Sequence, residues 1–240
     1  MKKSKLSVGF SSPLLLVLFA LSTACSGTES DPPTEGEPAN PWNGHTYFLE
    51  IPRVNWAEPR GIGADIADYV PGFLLKVEGD APETFEVMMG KAHSDGAQNT
   101  CNKTGRLSAS AEPPGVTIGP SEFPMHIEHA EEEIAVDGMV YDLTMTNVLP
   151  DGDSDTAIGE FTGTMDFRQL YELFTVIIGR TPELVCTSLE MTYQTPCAPC
   201  PTDQQPYCLT VKAIDLEAVP YDAEIEPIDA VDPSCVPPAP

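Results

Sequence analysis

From Trp42 onward the large apolar residues alternate with polar ones more than they cluster. Tyr47, Leu49 and Ile51 fall on one side of a two-residue repeat, as do Phe85, Val87 and Met89, and again Phe123, Met125 and Ile127. The run Met139–Thr146 is the fullest case: Met139, Tyr141, Leu143 and Met145 share one face, and Asp142 and Thr144 share the other with Thr146. Successive side chains of a strand point to opposite faces, so this spacing predicts antiparallel strands with one face buried and one wet. Phe73–Glu78, Ala157–Thr164, Leu184–Tyr193 and Cys208–Leu216 read the same way. About eight short strands so spaced predict a mainly β fold, a single antiparallel barrel or sandwich.

Two stretches follow a helical period instead. Ile62, Ile66 and Val70 lie four apart and stop at Pro71, which predicts a short helix near 62–70. Over 166–178, Phe167, Leu170, Tyr171, Phe174, Ile177 and Ile178 form one stripe. Asp166 and Gln169 open it in the manner of a capping box, and Gly179 stands where a helix end favours positive φ. An amphipathic helix this apolar must dock on the sheet.

Composition adds boundaries. The 25 prolines and 18 glycines favour many turns. Residues 26–41 hold no large apolar side chain and cannot offset the entropy of ordering, so 25–41 reads as a tether ahead of a β-rich domain at 42–216. Residues 217–240 are again acidic and proline-rich, and Cys235 within them predicts a tail stapled to the body. The formal charge of −25 sets the surface against nucleic acid and anionic lipid headgroups, while leaving cations welcome.

The N-terminus supplies an address. Lys2, Lys3 and Lys5 precede an apolar run around Leu14–Leu21, then small residues, which is a secretory signal rather than a membrane span. Leu21-Ser-Thr-Ala-Cys25 resembles the lipobox of bacterial lipoproteins, with the leucine one place further upstream than in the commonest form. The resemblance implies cleavage after residue 24, acylation of Cys25 and anchorage to a bacterial membrane through its acyl chains. Ser26, in place of Asp, implies the outer membrane where enterobacterial sorting applies.

Six further cysteines, Cys101, Cys186, Cys197, Cys200, Cys208 and Cys235, make an even set that suits disulfides in an exported chain. The expected pairing closes a loop from Cys197 or Cys200 to Cys208, with Cys101 and Cys235 each stapling a peripheral segment. Cys197-Ala-Pro-Cys200 also resembles the Cys-x-Pro-Cys of thioredoxin-like oxidoreductases, but Pro201 follows at once and no βαβ pattern surrounds it. With Cys186 or Cys208 the same pair has the spacing of half a zinc site. Asp151, Asp153 and Asp155 begin like an EF-hand loop and Glu160 follows, a weak Ca²⁺ candidate; Thr156 and Thr162 stand where that loop needs glycine and glutamate. His126 and His129, three apart on a strand, point to opposite faces.

No catalytic motif is present, so no catalytic residue and no cofactor is assigned. The methionines carry the remaining signal. Phe85, Met89, Met125, Tyr141, Leu143 and Met145 are placed on inward faces, and methionine adapts to irregular apolar shapes. Such an interior is either plain core or the lining of an apolar-ligand site, as in lipocalin-type barrels; the long helix here precedes the last strand rather than following it. The reading is a non-enzymatic envelope lipoprotein with a structural or binding role, its partner an envelope protein or an apolar ligand. A lipocalin-like carrier and an exported enzyme without a recognisable motif are the alternatives.

Overall fold

Nine strands form the framework of the domain: β1 (Thr46–Leu49), β2 (Asn55–Glu58), β3 (Phe73–Glu78), β4 (Thr84–Lys91), β5 (Gly105–Glu112), β6 (Gly115–His129), β7 (Ile134–Thr146), β8 (Ala157–Asp166) and β9 (Cys208–Pro220). They come from a computed structural model, which describes residues 40–51, 54–63, 71–93, 95–112, 115–129, 134–150, 155–170, 181–230 and 235. Every pairing is antiparallel, in the order β1-β3-β4-β5-β6-β7-β8-β9, and β1 then pairs with β9 to close the ring. The domain is a closed eight-stranded barrel. β2 is the extra strand. Leu49 of β1 stands opposite Ala218 and Trp56 of β2 opposite Ala213, so β1 and β2 lie in succession along one edge of β9, interrupted by 50–54.

The closure depends on a diagonal line of bulges. Between Ile118 and Ser121 β6 carries one residue more than β7, between Tyr141 and Thr144 β7 carries one more than β8, and between Ala213 and Leu216 β9 carries one more than β8. Each extra-residue site holds a residue with positive φ: Gly119 at 94°, Asp142 at 52° and Asp215 at 59°. A bulge bends its strand and increases local twist, and repeating it strand after strand coils the sheet onto itself. Close approach follows. A Cβ on Gly159 would stand 2.3 Å from Thr146 O, so only glycine fits beside the returning strand.

The barrel is apolar within and polar without. Val77, Val87, Leu107, Ile118, Met145, Leu209 and Leu216 fill the interior, while Glu86, Arg106, Thr162, Lys212 and Glu217 stand on the outer face. A membrane-spanning barrel has the reverse arrangement, with an apolar belt outside and a polar lumen. One apolar strip of the outer face is covered by the chain itself: Leu74, Met88 and Ala92 lie under Ile225, flanked by Phe48 and Tyr221. The covering segment is tied to 98–104, with Gln98 and Glu226 bonded twice and Thr104 and Ile228 bonded twice. Cys101 and Cys235 are joined to each other, completing the strap.

The sequence expectation of a mainly β barrel is met, with changes at the element level. Leu184–Tyr193 is not a strand but part of a helix, α1 (Pro182–Tyr193). Thr181, extended at φ −142° and ψ 153°, caps it by accepting the Leu184 N–H, Pro182 supplies a preset φ at the first turn, and Val185 and Leu189, one turn apart, are its buried residues. β5 takes the eighth place in the barrel; its inward residues are Leu107, Ala109 and Ala111, whose small side chains give a faint alternation. β9 runs to Pro220 because Ala218 and Val219 pair with β1, so 217–220 is sheet rather than tail. Of the helix expected over 166–178, residues 167–170 are helical and follow β8 directly; Asp166 Oδ1 accepts the Arg168 N–H at 2.9 Å and so caps them. Residues 171–178, and 64–70 of the shorter helix, lie outside the described residues.

Candidate functional site

The lumen is not filled evenly. At one end Trp42 plugs the barrel, its ring tilted by 33° against Phe85 with centroids 5.7 Å apart, its Nε1 donating to Pro150 O at 2.7 Å. Toward the other end lies a cavity of about 80 Å³. The strands bring to it Phe73 of β3, Met89 of β4, Met125 of β6, Leu143 and Met145 of β7, Met165 of β8 and Val211 of β9. Ile51 and Ile62, from the segment between β1 and β3, and Phe167 and Leu170, from the turn after β8, line the same cavity. Its wall exposes no polar surface. On the scale where a single water needs roughly 10–15 Å³, this space holds roughly five to eight non-hydrogen atoms.

Four of the six residues expected to line a ligand site do so: Met89, Met125, Leu143 and Met145. Phe85 is buried at the plugged end, against Trp42. Tyr141 is displaced by the bulge at Asp142. The extra residue reverses the alternation, so Val140 and Leu143 both line the cavity and Tyr141, though buried, does not. A two-residue repeat carried unbroken through Met139–Thr146 cannot anticipate this, because the phase changes within the run.

Trp56 is the residue that the sequence reading missed. It sits in β2, a strand of four residues, in the cavity wall, edge-on to Phe161 with centroids 5.4 Å apart. The indole packs so closely on Gly63 that a Cβ there would lie 2.6 Å from Cδ1. Trp56 is 7% exposed, and its Nε1–H is buried with no hydrogen-bond acceptor among the described residues. Leaving such a donor unpaired costs about 1–3 kcal/mol.

The charged groups at this end are satisfied among themselves. Arg168 Nη2 lies 2.6 Å from Asp166 Oδ2, Nε lies 2.9 Å from Oδ1, and Nη1 pairs with Asp203. The guanidinium also sits over Tyr207, 5.5 Å from the ring centroid. The side-chain bonds to Asp166 and Asp203 push its pKa up, and the bond from Arg168 holds Asp203 below the usual carboxylate range. Tyr207 Oη donates to Glu183 Oε1 at 2.7 Å, which lowers Glu183 and raises Tyr207. The cluster ties the 167–170 turn, the 198–207 loop and α1 into one rim.

The other sequence candidates separate. Cys200 pairs with Cys208, as expected, and Cys186 with Cys197. The two cysteines of Cys-Ala-Pro-Cys are therefore not joined to each other, and neither offers a thiolate for redox exchange or zinc in this oxidised form. Asp166 lies beside the Cys200–Cys208 sulfurs but is committed to Arg168. Of the Ca²⁺ candidates, Asp151 and Asp153 lie outside the described residues, Asp155 is exposed, and Glu160 pairs with Lys212 Nζ at 3.1 Å. His126 stands opposite Asp137 and His129 opposite Ile134 in the β6–β7 ladder. Cys25 lies outside the described residues. No family model matches the chain, and neither does any curated protein or solved structure.

Proposed function

We propose that this chain is a non-enzymatic, membrane-tethered lipoprotein of the cell envelope whose barrel lumen binds a small apolar molecule. The observation that carries the binding role is the cavity: a wholly apolar space inside an otherwise dense core, lined by four methionines, Met89, Met125, Met145 and Met165. Methionine side chains adapt to a range of apolar shapes, and an empty apolar cavity takes up apolar guests without displacing ordered water. The closed barrel and the charged outer face support a soluble carrier domain, and the lipobox resemblance at Cys25 supports its attachment to a membrane by acyl chains.

The binding role is tested with hexane, titrated into the oxidised domain and followed by NMR. Saturable shifts confined to the cavity methyl groups are expected. Val211→Phe, which extends a ring into the space, is expected to weaken hexane binding at least tenfold while the chain stays folded. Shifts that rise linearly without saturation, equal in both proteins, would sink the reading and leave a structural lipoprotein. The anchor is tested by Cys25→Ser, expected to move the chain from the membrane to the soluble fraction; retention in the membrane would refute acylation at that residue.

A further inference from the structure

We propose that Cys101–Cys235 is a redox latch: a dithiol reductant that opens it frees the strap beyond Pro220 and bares an apolar strip of β3 and β4, while the barrel stays closed. This does not depend on the reading of the lumen.

The strap and the barrel are separate in their bonding. β9 makes its last ladder pair at Pro220, opposite Tyr47, and the ring is complete there. Beyond it, among residues 221–230, Ile225 is the one buried side chain, set on Leu74, Met88 and Ala92. Three ties run to a single loop, the connection from β4 to β5. Gln98 exchanges two bonds of 2.8 Å with the backbone of Glu226, Thr104 exchanges two with that of Ile228, and Cys101 holds Cys235.

Without the disulfide the other ties are too weak to keep the strap in place. The Gln98–Glu226 bonds are exposed, and water competes there for both partners. Burial of one isoleucine does not offset the ordering of residues 221–230. Asp222, Glu224, Glu226 and Asp229 add their charge to a chain whose formal charge is −25, so repulsion favours the loose state. The disulfide supplies the difference by removing most conformations of the loose strap. Its two cysteines are partly exposed and open to a thiolate, whereas Cys200 and Cys208 are buried. The thiolate of a dithiol attacks one sulfur and breaks the S–S bond, forming a mixed disulfide that the second thiol then displaces. Two electrons and two protons end on Cys101 and Cys235, and the reductant becomes a disulfide. Leu74, Met88 and Ala92, beside Phe48, are then uncovered.

The test is amide hydrogen exchange on the oxidised domain during a dithiothreitol titration, with iodoacetamide capping and peptide masses showing which pair has opened. Cys101 and Cys235 are expected to be capped before Cys200 and Cys208. The Thr104, Glu226 and Ile228 amides are then expected to exchange at least about a hundredfold faster, while those of β7 and β8 change less than about threefold. Reoxidation is expected to reverse the change. Cys101→Ser combined with Cys235→Ser, in a chain whose other disulfides are intact, is expected to show the same pattern and to bind an apolar fluorescent dye that the wild type does not. Strap amides that stay protected in this variant would show that the disulfide is not the latch. Exchange that rises equally across β7 and β8 would make it a staple of the whole fold, and either result overturns the proposal.

Discussion

Asp142 and Trp56 show how much single residues decide in this barrel. Asp142 takes φ of 52°, a conformation that short polar side chains tolerate better than most, and so turns the alternation of β7 over within one step. Val140 and Leu143 thereby both reach the lumen, and Tyr141 is excluded from it. Trp56 gives the cavity wall an aromatic ring, while its buried Nε1–H adds no polar surface to that wall. Around the rim, ionised side chains act as clasps, and their pKa directions give a pH dependence with a definite sign. Glu183 and Asp203 are held below their ordinary values of 4.5 and 3.8 by the Tyr207 hydroxyl and the Arg168 guanidinium, so their contribution is complete above those values and is lost as pH falls through the lowered ones. Tyr207, raised above 10.0, contributes below that value and ceases to as pH rises through its raised pKa. Amide hydrogen exchange across α1 and the 198–207 loop is therefore expected to be slow and flat from pH 5 to 9, once corrected for the intrinsic rate, and to accelerate below about pH 4. An unchanged corrected rate at pH 3 would show that the clasp does not hold the rim. These groups are exposed, so the effect is local and modest.

At the level of elements, what was legible in the sequence follows from side-chain size and from period. Strands with large inward residues, such as Phe85-x-Val87-x-Met89 and Phe123-x-Met125-x-Ile127, announce themselves, and they form β4 and the distal part of β6. β5 does not, because Leu107, Ala109 and Ala111 give the same alternation with little apolar contrast. β2 is too short for any period to register, yet it carries Trp56. The error at Leu184–Tyr193 has a different origin. Its apolar residues fit both periods, and the deciding signals were local: a Thr181-Pro182-Glu183 start is a helix cap, while Leu184 and Met191 turn out to face solvent. The cysteines were legible as an even, oxidised set but not as three pairs. Cys101–Cys235 spans 134 residues and depends on the tail lying along β3 and β4, which no local spacing encodes.

At the scale of the whole molecule, three layers share the work. The outer wall is largely polar, the disulfide-tied tail hides an apolar strip of it, and the lumen is dense at the Trp42 end and hollow at the Trp56 end. The candidate site was half visible beforehand, since Met89, Met125, Leu143 and Met145 were placed inward by period alone. Its other wall is made by Ile51, Trp56, Phe167 and Leu170. Ile51, Phe167 and Leu170 lay on apolar faces that the period showed, but that they meet at one cavity, with Trp56 beside them, is set by tertiary contacts that no local period encodes.

The uneven filling of the lumen is the feature that separates a carrier from a structural module, and native mass spectrometry reads it directly. The chain from Ser26 to Pro240, exported so that its three disulfides form, would be weighed natively and again after denaturation without reduction. The native mass is expected to exceed the denatured one by that of a small neutral organic molecule, and Val211→Phe is expected to remove the excess. Equal native and denatured masses from freshly exported protein, both consistent with three disulfides, would contradict a ligand-filled lumen.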